Sequence, residues 1–370
     1  MYENELAALA RAGRLRGRKT FHVDQVDLAS NDYLGMAHNE TVFKRAIARL
    51  EKAGTYGPKA SQLVSGYHPI HRDFERWLCK THGYEAALVI GSGFLGNLAL
   101  FEALPRKGDL LIIDAEYHAS GLVAAKTTQG RVEFFRHNDA NDLAQKLKLP
   151  AKRRFVAVEG VYSMSGRLVK KSILTTAKEA GATLILDEAH SGGVIGPNLL
   201  GVLEHYGLDN QNTIRMGTLG KAYGSYGAYL LADKTTISFL ENRAKPVIYS
   251  TAPSLFDIAF AHEAAKTIWK TRNRLRERIH AARSVAARAG YLTPSLILPI
   301  ALTDNKAVMR VQKKLLEAGF LVGAIRQPTV SQPQLRIILR EHPKKLELFF
   351  SIMNPMSSFM LKSFGTTTKG

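Results

Sequence analysis

The sequence predicts an α/β protein: a mostly parallel seven-stranded sheet flanked by helices, followed by a smaller C-terminal α/β domain. Three observations carry that prediction. Between about residues 85 and 232, apolar runs of strand length alternate with helix-forming stretches, the pattern of a chain whose sheet is covered on both faces. A break at Thr251-Ala-Pro253 then interrupts the alternation, and beyond it the order changes to a long helical segment followed by short strands. Finally, 370 residues of 45% apolar composition exceed what one hydrophobic core usually serves, so two domains are expected.

The apolar runs fall, in order, at residues 86–90, 110–114, 132–135, 155–158, 183–187, 213–216 and 228–232. Each is too short for a helix and is bounded by turn residues, which favours strand. The stretches between them, such as residues 97–104 and 173–180, are rich in helix formers and end at Gly, Pro or Asp. In such a layer, functional groups are expected at the C-terminal ends of the strands. Past the break, residues 255–289 read as one long helix, and residues 296–302, 321–325 and 334–339 as strands. Residues 344–360 read as a closing helix and 366–370 as a frayed tail. The linear division is therefore an N-terminal segment (1–40), a large cofactor-binding domain (41–253) and a small domain (254–370).

A formal charge of +19 admits nucleic acid, an anionic surface, or a phosphate-rich or acidic-protein substrate as partners. The basic residues are scattered, with one compact cluster from Arg11 to Lys19, and no aromatic-interleaved stripe offers base stacking. That argues against a nucleic-acid site. The single cysteine, Cys79, excludes an internal disulfide framework. It lies in the Ile70, Phe74, Trp77, Leu78 spacing of a helical core stripe, where packing is its role. No apolar run approaches the length of a membrane span, and the first residues lack a secretory pattern, so a cytoplasmic protein is expected.

Two motifs invite competing readings. Gly91-Ser-Gly93-Phe-Leu-Gly96 follows a predicted strand and opens a predicted helix, with Asp114 eighteen residues after Gly96, as a dinucleotide fingerprint requires. It also approaches a phosphate-binding Walker loop, but Asn97 and Leu98 stand where Lys and Ser or Thr are needed. What the readings share is an anion at a helix N-terminus, a demand that the monophosphate of pyridoxal phosphate meets equally. Asp187-Glu-Ala-His190 spells a helicase motif too, yet the chain lacks the matching triphosphate loop. A metal site there has no third ligand, so no metal is expected.

Asp187 and His190 close the run at residues 183–187, and Lys221 follows thirty-four residues after Asp187 in the small-residue turn Gly217-Thr-Leu-Gly-Lys221. Pyridoxal phosphate needs a carboxylate to keep its pyridine nitrogen protonated and a lysine to hold its aldehyde. Asp187 and Lys221 fit those two needs. Thr218 offers a hydroxyl to a phosphate in the same turn.

On a wider set of stretches the chain resembles the α-oxoamine synthases, fold-type I pyridoxal phosphate enzymes that condense an amino acid with an acyl thioester. The matching stretches are Ser30-Asn-Asp-Tyr-Leu-Gly35, Val64-Ser-Gly-Tyr67 with His71, Ser92-Gly-Phe94 with Asn97, His118-Ala-Ser120 and His137-Asn-Asp139. To these are added Glu159-Gly-Val-Tyr-Ser-Met164, the segments around Asp187 and Lys221, Tyr249-Ser-Thr251 and Leu335-Arg336. The resemblance implies that Lys221 holds the cofactor aldehyde, Asp187 faces the pyridine nitrogen, His190 the ring hydroxyl and His118 the ring face. It implies that Ser92, Gly93, Phe94 and Thr218 hold the phosphate end, that Ser163 lies beside the ring, and that Thr251 is given across a homodimer interface. Arg336, with Asn31, would receive the amino-acid carboxylate.

Within the family, Ala324-Ile-Arg-Gln-Pro-Thr329-Val330 most resembles the biotin-pathway branch, which joins L-alanine to a pimeloyl group on coenzyme A or an acyl carrier protein. There Arg16 and Thr329 would be substrate contacts. Glycine acetyltransferase, 5-aminolevulinate synthase and serine palmitoyltransferase share the core motifs and remain alternatives, with a nicotinamide-dependent oxidoreductase behind them. The chain departs from the family pattern at Gly57-Pro-Lys-Ala-Ser-Gln62, which replaces a glycine-rich stretch and should be stiffer, at Met164-Ser165-Gly166, and in the Ser-Gly-Gly that follows His190.

Overall fold

A computed structural model describes residues 1–21 and 24–361, with side chains of the last helix described to residue 354. The tail expected at residues 366–370 lies outside the described residues. Contacts divide the chain into two compact units. The larger comprises Asp32–Ser163 and Arg167–Arg276, and the smaller comprises Met1–Asn31, Met164–Gly166 and Glu277–Gly370. The units interleave along the chain, whereas the sequence reading draws its boundaries in linear order at residues 40 and 253.

Among the described residues there are eleven strands: β1 (Val26–Leu28), β2 (Ala86–Ile90), β3 (Leu110–Asp114), β4 (Arg131–Phe135), β5 (Arg154–Glu159), β6 (Thr183–Asp187), β7 (Thr213–Thr218), β8 (Ala228–Ala232), β9 (Ile297–Ala301), β10 (Phe320–Ile325) and β11 (Gln334–Ile338). The larger unit holds a seven-stranded sheet in the order β2-β8-β7-β6-β5-β3-β4. Strands β7, β6, β5, β3 and β4 are mutually parallel, and β8 runs antiparallel to both β2 and β7. The expected seven-stranded, mostly parallel sheet is borne out.

The strand sequences explain the layer. Every residue of β3 and β8 is buried, which is why they read as continuous apolar runs rather than alternating ones. One face is covered by the helix Gly93–Ala103, which buries Ala99, Leu100 and Phe101 in a cluster with Leu111, Ile113, Ile185, Met216 and Leu230. That helix starts four residues earlier than the sequence pattern suggests, because the Ser92 hydroxyl accepts the Leu95 N–H at 3.2 Å and caps it. Its one buried polar side chain, Asn97, points to a use other than packing.

In the smaller unit the order is β1-β10-β11-β9. The expected strands near residues 296–302, 321–325 and 334–339 are present as β9, β10 and β11. The parallel pairing of β1 with β10, Val26 opposite Phe320 and Leu28 opposite Val322, joins segments almost 300 residues apart. The helix Asn305–Glu317 is capped by Asp304 and buries Ala307, Val308, Val311 and Leu315, one face of a helix. The helix Pro343–Leu361 buries Phe349 against Phe320, ring centroids 5.5 Å apart. The helix Leu255–Arg288 matches the long helix expected at residues 255–289. Among the described residues no helix is long and apolar enough to cross a membrane.

Candidate active site

Glu159, Asp187 and Thr218 are the last residues of β5, β6 and β7, so a parallel sheet sets three functional side chains along one edge. Glu159 and Asp187 are register partners, which makes them neighbours. A cavity of about 230 Å³ opens there. Its walls are Gly93, Phe94 and Asn97 from the capped helix, His118 and Ser120 from the start of the helix Ala119–Ala124, and Glu159, Asp187, Ala189, His190, Met216, Thr218 and Lys221. Two wider hollows in the smaller unit, about 510 and 400 Å³, gather no histidine and no comparable set of reactive groups.

The geometry joins the three residues singled out first. Lys221 Nζ lies 2.9 Å from His190 Nε2, and the other ring nitrogen of His190 lies 2.5 Å from the Tyr33 hydroxyl. Asp187 is 4% exposed; its Oδ1 accepts the Ala189 N–H at 2.9 Å and its Oδ2 accepts from Asn97 Nδ2 at 3.3 Å. Asn97 is itself oriented, because its oxygen accepts from the Tyr117 hydroxyl at 2.8 Å while its amide also donates to Ser120 Oγ at 2.9 Å. The Ser120 hydroxyl lies 2.7 Å from His118 Nδ1. Asn97, Tyr117, Ser120, Glu159 and Tyr33 thus belong to the site, although sequence reasoning gave them no role. One signal was available: a polar Asn97 inside the otherwise apolar stretch 93–101.

Electrostatics define what the cavity can accept. Burial pushes the Asp187 carboxyl above its ordinary value, with Lys221 pulling the other way. Glu159 is driven well upward by burial and then by the charge of Asp187. His118 is held below the ordinary imidazole value by burial, with Asp187 opposing and Lys221 adding to that shift. Two buried carboxyls side by side favour a cation between or beside them. A protonated pyridine nitrogen is such a cation. The opposite end suits an anion. The first turn of the helix Gly93–Ala103 lines it through Gly93 and Phe94, and the buried Thr218 hydroxyl oxygen has no hydrogen-bond partner in the structure. A Cβ on Gly93 would sit 2.5 Å from Thr218 Cγ2, so only glycine lets that turn and helix approach. A donor-lined anion cradle, a buried carboxylate and an amine suit pyridoxal phosphate.

Of the other residues singled out, Ser92 caps the helix rather than lining the cavity. Ser163 is buried, and its N–H donates to Glu159 Oε2 at 3.2 Å. Thr251 is exposed and bridges to Ser61, away from the cavity lining. Arg16, Asn31, Thr329 and Arg336 belong to the smaller unit and form two pairs: Arg16 donates to Thr329 Oγ1 at 2.8 Å, and Arg336 to Asn31 Oδ1 at 2.9 Å. Cys79 is half-buried, and burial pushes its thiol up to about 11, which makes it no nucleophile.

A family model described as aminotransferase class I and II matches residues 23–348. The chain belongs to that family. Among curated relatives it is 43% identical over 344 residues to an 8-amino-7-oxononanoate synthase of Helicobacter pylori, covering 92% of each chain. It is 35% identical over 325 residues to a putative 8-amino-7-oxononanoate synthase of Aquifex aeolicus, covering 85% of this chain and 86% of the relative. Among solved structures it matches a serine palmitoyltransferase from S. paucimobilis with bound PLP-myriocin aldimine, with TM-score 0.88 and 25% identity over 97% of this chain and 98% of that one. An 8-amino-7-oxononanoate synthase from Francisella tularensis matches with TM-score 0.75 and 25% identity, over 91% and 99%. The α-oxoamine synthase resemblance read from the motifs is borne out, and with it the fold-type I architecture.

Proposed function

We propose that this protein is an 8-amino-7-oxononanoate synthase, a pyridoxal phosphate enzyme that joins L-alanine to a pimeloyl thioester with loss of carbon dioxide. The observation that carries the reading is the buried set at the ends of β5, β6 and β7, Asp187 beside Glu159 and Lys221 beside His190, in a chain 43% identical to a relative of that name. The structural likeness to serine palmitoyltransferase is closer by TM-score, and it supports a second reading within the same family. We give sequence identity more weight, because the backbone likeness reports a shared fold while residue identity reports the substrate-facing side chains.

When bound, pyridoxal phosphate supplies an electron sink for the carbanion formed at the amino-acid Cα. The chain's own residues do the rest. Lys221 would hold the cofactor aldehyde, and its amine, when free, would take the Cα proton as general base. Asp187, kept in place by Ala189 and Asn97, holds a proton on the pyridine nitrogen. His190 would face the ring hydroxyl, His118 would cover the ring, and Ser163 would lie beside it. Gly93, Phe94 and Thr218 would hold the phosphate, with Ser92 capping the helix that presents the first two. Arg336, with Asn31, receives the alanine carboxylate through a bidentate fork, and Arg16 and Thr329 contact the acyl substrate.

A homodimer is part of the reading, with Thr251 offered to the partner's site. In support, Val64 is 80% exposed and Tyr249 79% exposed on the two segments that the Ser61–Thr251 bridge ties together, apolar surface of the kind that a second copy covers. We assign the enzyme to the cytoplasm, where its thioester donors are made. The acyl donor is pimeloyl-coenzyme A or pimeloyl acyl carrier protein. The test is to supply L-alanine, glycine or L-serine with pimeloyl-coenzyme A or with a long-chain acyl-coenzyme A and weigh the products. The expected result is carbon dioxide and 8-amino-7-oxononanoate from L-alanine alone; a product from serine with a long-chain thioester instead would favour the second reading.

A further inference from the structure

Behind the cavity lies a residue that the reaction as described does not use. Tyr33 is 1% exposed, sits in the Asp32-Tyr33-Leu34 segment, and is not among the cavity-lining residues. Its hydroxyl lies 2.5 Å from His190 Nδ1, its ring meets the His190 ring edge-on at 6.1 Å, and His190 Nε2 lies 2.9 Å from Lys221 Nζ. All three residues belong to the larger unit. The geometry points to Tyr33 as a positioning residue whose hydroxyl holds His190 in either tautomer, so that the imidazole can follow the protonation state of Lys221.

The argument follows from which groups can donate. An ammonium on Lys221 has hydrogens and no lone pair, so it donates to Nε2, and a neutral His190 then carries its proton on Nδ1. The Tyr33 oxygen accepts that proton's hydrogen bond. A neutral amine on Lys221 adds a lone pair to its N–H groups, so Nε2 can now carry the proton and donate to it. Nδ1 then needs a donor, and the same hydroxyl, turned about its C–O bond, becomes one. Between the two states the trio loses one proton, from the lysine, while the imidazole keeps one and moves it from Nδ1 to Nε2. A hydroxyl is the side-chain group suited to both halves, since a carboxylate only accepts and an ammonium only donates. A general base that alternates between the two forms is thereby hydrogen-bonded in each. The inference rests on the proposed role of Lys221 for its purpose, and on the distances for its geometry.

Tyr33→Phe keeps the ring and removes the hydroxyl. Without the hydroxyl, the ammonium state loses the acceptor of a buried Nδ1–H and the amine state loses the donor to a ring lone pair; an orphaned buried N–H is the costlier of the two, so the ammonium state loses more. Asp187, Glu159 and His118, which act on Lys221 electrostatically, are left in place. The measurement is competitive acetylation of Lys221 against pH, read by peptide mass spectrometry on the full-length chain freed of cofactor. It does not require that the condensation reading be right. The labelling midpoint is expected to fall by about half a pH unit or more in Tyr33→Phe, and the substitution should add nothing in a His190→Gln background. An unchanged or raised midpoint, or an equal fall in the His190→Gln background, would overturn the inference. A second readout needs no variant: nitrogen-15 spectra of the histidine-labelled protein should show the His190 ring proton change nitrogen over the pH interval in which Lys221 labelling rises. A single tautomer throughout that interval would equally overturn it.

Discussion

Replacing Asp187 by Asn separates what that carboxylate does for the fold from what it does for a cofactor. Burial opposes its charge in the cofactor-free chain, while an amide can accept from only one of Ala189 and Asn97, so the two effects offset and the thermal midpoint should move little. With pyridoxal phosphate the same change removes the partner of a protonated nitrogen, and turnover should fall by about 100-fold or more. Melting curves with and without cofactor, read beside turnover, check both halves; lost stability without lost turnover would make Asp187 a structural residue. At this scale the sequence was legible where a motif sits on a strand end. Asp187 closes β6, His190 lies in the turn just past it, and Lys221 follows the neighbouring parallel strand β7, so an order of strands readable in the sequence brings them together. Tyr33 and Asn97 were not, because their contacts cross 157 and 90 residues of chain and only the folded sheet sets them beside His190 and Asp187.

The helix Pro69–His82 is fastened to β2 through one buried acid. Glu75 accepts the Val89 N–H at 2.9 Å and the hydroxyl of Tyr67, and burial raises its carboxyl from 4.5 to about 7. Since the folded-state value lies above the unfolded one, its contribution to stability is complete below about pH 4.5 and is lost as pH rises through about 7. A Glu75→Gln protein lacks that loss. Its stability relative to the parent should climb by about 3 kcal/mol between pH 4.5 and 8 in urea titrations, and a difference that stays flat with pH would show that Glu75 is not held neutral. Elements themselves were readable from apolar runs and breakers, as the β2 to β8 series shows. What escaped was the pairing of β1 with β10, since a three-residue strand carries too little pattern to announce its partner.

Over the whole molecule, the charge of +19 and the glycine motif at residues 91–96 left several function classes open, and it was the convergence of distant stretches that chose among them. A mostly parallel sheet places β5, β6 and β7 side by side, so that Glu159, Asp187 and Thr218 line one edge although the chain separates them. The helix Gly93–Ala103 brings its capped end to the same edge, which turns the glycine motif into an anion cradle rather than a dinucleotide loop. Each assignment depends on Lys221 being the residue that carries the cofactor. Reducing the purified, cofactor-loaded protein with borohydride and mapping its peptides tests this most directly. Loss of a visible absorption band together with a pyridoxyl group on Lys221 is the expected result, and a protein without such a band, or with the group on another lysine, would contradict it.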